Sequence, residues 1–263
     1  MWFAGWNKNG ASYLNENTFG KPVILGADLF TDIPSCFTAH DVANVFAKAT
    51  AGWLVTPDLR ICTDVNTSFN FSQHSFNDSI CVSPYLSETK HVKQNLLWTF
   101  ETRFNFFPED LWNFNIDSAF TLNYTPVKPL TFALLTAAGY STENCSNQIR
   151  LFRSDRNNAY NLGLANKEVR SGYSNEELSV SRYVMATAEI RWNAFSFMIP
   201  PCFPCRIVPY VFADAAYSGK ILDAYGIGLY LNFDSPVFAT FNFSYGINHN
   251  GKGRFSFAAM QSF

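Results

Sequence analysis

Residues 112–124, WNFNIDSAFTLNY, alternate between apolar and polar side chains. Successive side chains of a β-strand point to opposite sides, so each set shares one face. The apolar set, broken only at Ser118, comprises Trp112, Phe114, Ile116, Phe120, Leu122 and Tyr124. The polar set comprises Asn113, Asn115, Asp117, Thr121 and Asn123. This pattern predicts a strand with one apolar face and one polar face.

The same period of two recurs along the chain and predicts an all-β protein. The predicted strands are 23–30, 45–55, 59–71, 95–106, 112–124, 130–140, a segment ending near residue 162, 180–192, 207–217, 224–233, 237–247 and 254–263. Residues 73–92, which contain Asn77, Asp78, Pro84 and several serines, are predicted to form a long loop. The result is about 12 strands, most of them near the roughly 9–11 residues that a tilted strand needs to cross a bilayer.

The composition favours a surface that faces something other than water. The chain of 263 residues contains 27 Phe, 12 Tyr and 6 Trp, and only 15% of its residues are charged. Soluble domains carry about 25% charged residues. No apolar run is long enough for a transmembrane helix, whereas a barrel strand is apolar only at every second residue. We therefore predict a single transmembrane antiparallel β-barrel domain over residues 1–263; a soluble β-sandwich is the alternative that periodicity alone leaves open.

Several classes of function are disfavoured by the residues. The net charge of −2 and the lack of a basic run argue against nucleic acid as a partner. Four histidines lie far apart, and Cys202-Phe203-Pro204-Cys205 has no second cysteine pair, so neither a metal site nor a cofactor is predicted. Nucleophile-elbow and P-loop motifs are also missing, so we expect no enzymatic activity.

The last predicted strand ends on the final residue of the chain. One face of this strand carries Phe255, Phe257, Ala259, Gln261 and Phe263. An open apolar edge invites pairing with other chains, and a barrel removes that edge by pairing its last strand with its first. The three phenylalanines resemble the C-terminal assembly signal of outer-membrane barrels.

Residues 145–263 contain a series of short motifs in a fixed order. They are Asn161-Leu162-Gly163, Val169-Arg170-Ser171-Gly172-Tyr173, Ala188-Glu189-Ile190-Arg191, Phe212-Ala213-Asp214-Ala215-Ala216, Gly226-Ile227-Gly228-Leu229, Ser235-Pro236, Tyr245-Gly246 and the terminal Phe263. Together these motifs resemble the outer-membrane assembly and secretion barrel superfamily, which includes BamA, the two-partner-secretion transporter FhaC and the bacterial surface-antigen barrels.

The resemblance implies a site inside the barrel. In the family, a V-R-G-Y loop folds into the lumen, and its arginine contacts the aspartate of an F-x-D-x-G strand; this implies a pair of Arg170 with Asp214. From the residues alone, an arginine in a lumen needs a carboxylate, and Asp214 and Glu189 are the candidates. A solvated loop arginine is the alternative. The chain departs from the family by inserting Ser171 within the loop motif of Val169, Arg170, Gly172 and Tyr173, and by placing Ala216 where the family has glycine.

The resemblance also implies a function and a location. We expect a bacterial outer-membrane barrel that assists the insertion and assembly of other outer-membrane proteins. The alternatives are a polypeptide-secretion pore, the barrel anchor of a surface protein, or a passive structural porin. The expected partners are outer-membrane lipids, unfolded outer-membrane or secreted clients, and assembly-machinery lipoproteins. Family barrels have 16 strands and follow POTRA domains and a signal peptide, which are not predicted here; a fragment, a mis-started reading frame and a reduced member are the three interpretations.

Overall fold

The computed structural model describes residues 6–34, 43–71, 76–107, 113–142, 147–148, 179–199, 203–233 and 240–260. The strands are β1 (Trp6–Asn15), β2 (Val23–Pro34), β3 (Ala43–Leu54), β4 (Leu59–Phe71), β5 (Phe76–Lys93), β6 (Leu96–Phe106), β7 (Phe114–Val127), β8 (Leu130–Ser141), β9 (Asn147–Gln148), β10 (Ser179–Val180), β11 (Arg182–Trp192), β12 (Phe195–Ile199), β13 (Phe203–Tyr217), β14 (Ile221–Phe233), β15 (Thr240–Ile247) and β16 (Gly253–Met260). A 3₁₀ turn at Thr18–Gly20 is the one helical element in these ranges. None of the described residues belongs to a helix with the length and apolarity needed to span a membrane.

The strands form one large antiparallel sheet. Within the described ranges it has 14 strands, in the order β1-β2-β3-β4-β5-β6-β7-β8-β11-β13-β14-β15-β16, with β12 beside β13. The short strands β9 and β10 pair separately. The predicted all-β antiparallel architecture is confirmed, although no closing pair between β1 and β16 is detected in the described part of the chain.

The chain divides into two compact units. The first comprises Met1–Glu88 and Glu101–Ile116, and the second comprises Thr89–Phe100 and Asp117–Phe263. The assignment of residues 1–263 to one domain stays a prediction.

In the second unit, the sheet has an apolar exposed face and a partly polar buried face. Along β11 every second side chain is buried, and these include the polar residues Thr187 and Glu189. The alternate side chains of β11 include Val184 and Ile190, which are exposed, and Val184 retains 60% of its accessible surface. Large apolar side chains are exposed in the same way on the neighbouring strands: Phe132, Leu134, Tyr140, Val211, Tyr217, Ile221, Tyr225 and Ile227. This arrangement is the inverse of the usual rule that places apolar residues inside.

The first unit has the same inverted arrangement. On β4, Ile61 and Val65 are exposed, whereas Asp64 between them is almost fully buried. On β5, Ile80 is exposed, and Ser83 and Ser87 are buried. Large exposed apolar residues over a contiguous face mark contact with something other than water.

An apolar cluster occupies part of the buried face in the second unit. It consists of Ala119, Leu135, Ala137, Tyr183, Met185, Ala216 and Leu222. Its members come from β7, β8, β11, β13 and β14, so it joins most of the unit's central strands. The polar side chains of the buried face lie outside this cluster.

The predicted loop at 73–92 is wrong. Residues 76–93 form β5, which pairs with β4 from Leu59↔Glu88 to Phe71↔Phe76. The serines and Pro84 resembled loop residues because polar side chains in strands usually face water. In this sheet Ser83 and Ser87 lie on the buried face of β5, so these serines are compatible with a strand.

The N-terminal strand was also missed, since no strand was predicted before residue 23. β1 pairs with β2 from Trp6↔Pro34 to Asn15↔Leu25. Its sequence, WNKNGASYLN, is mostly polar and has no clear period of two, so the pairing could not be recognised from alternation. The predicted strand near residue 162 lies outside the described residues, and the remaining predicted strands each overlap an observed one.

Hydrogen exchange will distinguish the strand at 76–93 from a loop. Because its backbone groups pair with β4, we expect amides in 80–88 to exchange at least roughly tenfold more slowly than those of the turn at 55–58. Mass spectrometry of the full chain in detergent micelles measures both segments at once. Equal, fast exchange in the two segments would contradict the observed pairing.

Candidate functional site

The candidate site is a group of polar and aromatic side chains on the buried face of the second unit. β11 places Glu189 and Arg191 on that face because residues two apart in a strand point the same way. The Arg191 Nε donates a hydrogen bond to Glu189 Oε2 at 2.8 Å. The Glu189 side chain has no exposed surface, and that of Arg191 retains 19%. A charge pair buried to this extent is strongly shielded from water.

Aromatic residues on β13 and β14 hold the charge pair in place. The Tyr230 hydroxyl donates to Glu189 Oε2 at 3.4 Å, and the Arg191 guanidinium carbon lies 5.4 Å from the Tyr230 ring centroid. Tyr230 stacks on Tyr210 with their ring centroids 4.5 Å apart. The Tyr210 hydroxyl in turn donates to Asn242 Oδ1 at 2.7 Å. The charges are therefore fixed by a chain of contacts that extends from β11 to β15.

Two glycines on β14 make room for these aromatic rings. Gly228 pairs with Tyr210, and Gly226 pairs with Phe212. A Cβ atom on Gly228 would overlap the Tyr210 ring, and one on Gly226 would lie 2.8 Å from Phe212 Cζ. Glycine is needed at Gly228 because the Tyr210 ring covers it, and at Gly226 because a Cβ atom there would overlap the Tyr245 carbonyl oxygen of β15.

The motifs that were read from the sequence meet in one row across the sheet. Glu189 pairs with Phe212, Phe212 with Gly226, and Gly226 with Gly246. The adjacent row joins Arg191, Tyr210, Gly228 and Ser244 in the same way. Residues that are separated by more than fifty positions in the chain thus form a continuous band on four neighbouring strands.

Asp214 lies on the buried face next to this band. It is 4% exposed and pairs in register with Thr187, which is fully buried. The loop residues Val169, Arg170, Gly172 and Tyr173 lie outside the described residues. The pairing of Arg170 with Asp214 therefore stays a prediction. Glu189, the second candidate carboxylate, has Arg191 as an ion-pair partner in this structure, and its assignment as a partner of Arg170 likewise stays a prediction.

The C-terminal phenylalanines are only partly described. Phe255 on β16 pairs with Tyr245 and retains 61% of its accessible surface. Phe257 pairs with Phe243 in the backbone register. Phe263 lies outside the described residues, so the assembly-signal interpretation stays a prediction.

The first unit contains a second polar network on its buried face. Asp64 accepts hydrogen bonds from Thr50 Oγ1 and from Arg103 Nη1, both at 2.8 Å. The Arg103 guanidinium carbon also lies 4.3 Å from the centroid of the Tyr85 ring. Lys48 and Asp28 form a further pair at 2.8 Å. These contacts are formed by side chains of β2, β3, β4, β5 and β6.

Several of these residues have no site role predicted from the sequence, namely Arg191, which occurs in the motif Ala188-Glu189-Ile190-Arg191, and Tyr210, Tyr230, Asp64 and Arg103. A signal for Arg191 exists: opposite charges at positions i and i+2 of one strand share a face and pair readily. The contact between Asp64 and Arg103 joins β4 to β6 across β5, a segment that is predicted from the sequence to be a loop. No local pattern could have revealed that contact.

The chemistry of the site is that of fixed charges and hydrogen-bonding groups. Among the described residues, no three His, Cys, Asp or Glu side chains are placed to hold a metal ion. The buried face presents carboxylates, guanidinium groups and phenol hydroxyls in fixed positions. Because Glu189 and Asp64 are almost fully buried and each is paired with an arginine, these groups join neighbouring strands on the buried face.

The fold is similar to that of a known BamA structure. The chain matches the crystal structure of BamA from Haemophilus ducreyi lacking POTRA domains 1–3, with a TM-score of 0.60 and 12% sequence identity. The match covers 98% of this chain and 62% of that chain. No protein-family model and no curated protein sequence matches the chain. The likeness shows that this chain has a BamA-like barrel fold, and it shows the fold alone.

Replacing Gly228 with valine will destabilise the sheet. The added side chain overlaps the Tyr210 ring, and overpacking of this kind costs about 1–3 kcal/mol. The matched control is Ala213→Val, which adds a similar volume on the exposed face of β13 and will leave stability nearly unchanged. Urea unfolding in detergent micelles measures both variants; equal stabilities would contradict the close contact at Gly228.

Removing the arginine of the buried charge pair will be more costly than removing one from a surface pair. Arg191→Met removes the guanidinium group that lies 2.8 Å from the buried Glu189 carboxylate, and breaking a buried pair in this way costs about 3–5 kcal/mol. Arg60→Met breaks the exposed pair with Glu16 and costs about 0–1 kcal/mol. The same urea titration tests both variants, and a small loss for Arg191→Met would show that the pair is solvated.

Proposed function

We propose that this chain forms a β-barrel in a bacterial outer membrane and assists the insertion and assembly of other proteins in that membrane. The observation that carries the proposal is the inverted sheet with the BamA-like strand arrangement over 98% of the chain. In water, a face that exposes Val184, Ile221 and Ile227 would drive aggregation, whereas lipid tails accommodate it. The outer-membrane lipids are the first expected partner.

The polar buried face supports a role with polypeptide clients. It carries the Glu189–Arg191 pair, Asp214, and the network around Asp64 and Arg103. Of these charged side chains, Arg191 and Arg103 retain 19% and 27% of their accessible surface, so a polar client chain can contact them. No covalent step is required for this role, and we propose a non-enzymatic function. Unfolded outer-membrane proteins are the proposed clients, with assembly-machinery lipoproteins as further partners.

A polypeptide-secretion pore is the second candidate. The polar side chains of the buried face favour it, because a chain in transit needs hydrogen-bonding groups in place of water. Assembly leaves the client folded in the membrane, whereas secretion moves it across. The final location of the client protein therefore distinguishes the two functions.

The experiment reconstitutes the full chain in lipid vesicles and adds an unfolded eight-stranded outer-membrane barrel in urea. Assembly predicts that folding of the client, followed by its resistance to protease, is faster in these vesicles than in empty ones. Secretion predicts accumulation of unstructured client inside the vesicles. Client folding at the rate of empty vesicles, without internal client, would contradict both functions.

Charge reversal tests the proposed pair of Arg170 and Asp214. Each of Arg170→Asp and Asp214→Arg is expected to slow client folding by about tenfold or more, because a shielded charge pair is lost. The double variant exchanges the charges and will recover most of the rate. The mismatched double variant of Arg170→Asp with Asp117→Arg serves as the control and will not recover. Recovery in neither double variant would rule out the pair.

A further inference from the structure

β12 (Phe195–Ile199) has a strand on one side only. It pairs with β13 from Phe195↔Ile207 to Ile199↔Phe203 and lies off the main path of the sheet. β8 accompanies β11 as far as Trp192↔Leu130, because the chain then turns at Lys128 and Pro129. Within the described residues, the second edge of β12 therefore has no strand beside it.

A β-bulge separates β12 from β11. From Arg191↔Tyr210 to Phe195↔Ile207, β11 and β12 advance four positions while β13 advances three. One extra residue in one strand defines a bulge, and bulges commonly mark a point where pairing ends. Asn193 links the bulge to the turn at Lys128 and Pro129, because its backbone N–H donates a hydrogen bond to the Pro129 carbonyl oxygen at 2.9 Å. The bulge and this bond fix the start of the free edge.

The free edge is apolar and exposed. Phe195 and Met198 retain 64% and 63% of their accessible surface, and Phe197 is also exposed. Charged side chains commonly protect an edge strand from pairing with another chain. β12 contains no charged residue. In an antiparallel ladder, about half of the backbone N–H and C=O groups of an edge strand point away from its one neighbour. These groups are a template for another strand.

A cavity lies against the same edge. It has a volume of about 580 Å³, and its lining includes Lys128, Asn193, Phe195, Ser196 and Arg206. Ser196 and Arg206 are cross-strand partners in the β12–β13 ladder. The charged residues that line the cavity are both cationic, so a carboxylate complements it.

We propose that the free edge of β12 docks an extended polypeptide segment, which pairs with β12 as an added strand and places a carboxylate between Lys128 and Arg206. In strand addition, backbone hydrogen bonds supply affinity, and side-chain pockets supply specificity. Lipid is the weaker candidate, because hydrocarbon covers apolar side chains but pairs with no backbone group. Docking at this edge depends on β12 and the cavity beside it, and it does not require that the chain assembles other barrels.

Two labelled nine-residue peptides of alternating threonine and valine provide the probe, one with a central glutamate and the other with a central lysine. Fluorescence anisotropy measures their binding to the full chain in detergent micelles, with empty micelles as the blank. The glutamate peptide is expected to bind about tenfold more tightly than the lysine peptide. Equal binding of the two peptides, or no binding above the blank, would overturn the proposal.

Charge reversal in the cavity locates the binding site. In the double variant of Lys128→Glu with Arg206→Glu, the preference will invert, so that the lysine peptide binds more tightly. Lys252→Glu, in the exposed turn between β15 and β16, is the matched control and will keep the preference of the unaltered chain. An unchanged preference in the double variant would place the peptide elsewhere and overturn the proposal.

A photo-crosslinking amino acid distinguishes peptide from lipid without disturbing the cavity. Placed at Met198, it is expected to capture the glutamate peptide; placed at Ile221, a similarly exposed residue of β14, it will capture detergent or lipid. Capture of lipid alone at Met198, in vesicles with the peptide present, would show that the edge is a lipid contact.

Discussion

Each carboxylate on the buried face must be paired with a cation, and the rest of the structure depends on this constraint. The exposed face carries many large apolar side chains, and Glu189, Arg191, Asp64 and Arg103 lie on the other side of the sheet. There Glu189 is closed off from solvent, and its charge is matched by Arg191 at 2.8 Å. Asp64 is matched by Arg103 at the same distance. An unmatched charge in either place would cost several kcal/mol.

This constraint explains why the sequence motifs form rows. A charge pair on β11 is held by Tyr230, Tyr230 is stacked on Tyr210, and Tyr210 is accommodated by Gly228. Tyr210 lies on β13, whereas Gly228 and Tyr230 lie two positions apart on β14. The positions of these residues in the chain therefore follow from the antiparallel register of the strands. Gly228 is part of the same arrangement, because a side chain there would displace the Tyr210 ring, on which Tyr230 is stacked.

The sequence was sufficient for the fold class and for most strands, because alternation over segments such as 112–124 is local information. The sequence was not sufficient at 76–93, where Ser83 and Ser87 are typical of a loop but are buried in β5. Alternation shows which residues share a face but does not show which face is exposed. For the site, Glu189 and Asp214 could be selected from motifs. Tyr230 and Arg103 could not, because their contacts join positions that are far apart in the chain and depend on the register.

Spin-label accessibility along β14 in lipid vesicles tests most directly whether the exposed face is a lipid face. Nitroxide labels are placed one at a time from residue 221 to 230 in a cysteine-free background, and collision rates with oxygen and with a polar nickel chelate are compared. A lipid face predicts high oxygen accessibility at Ile221, Tyr225 and Ile227, and lower values at the alternate positions. High nickel-chelate accessibility at those three residues, or no alternation along the strand, would contradict a membrane-embedded sheet.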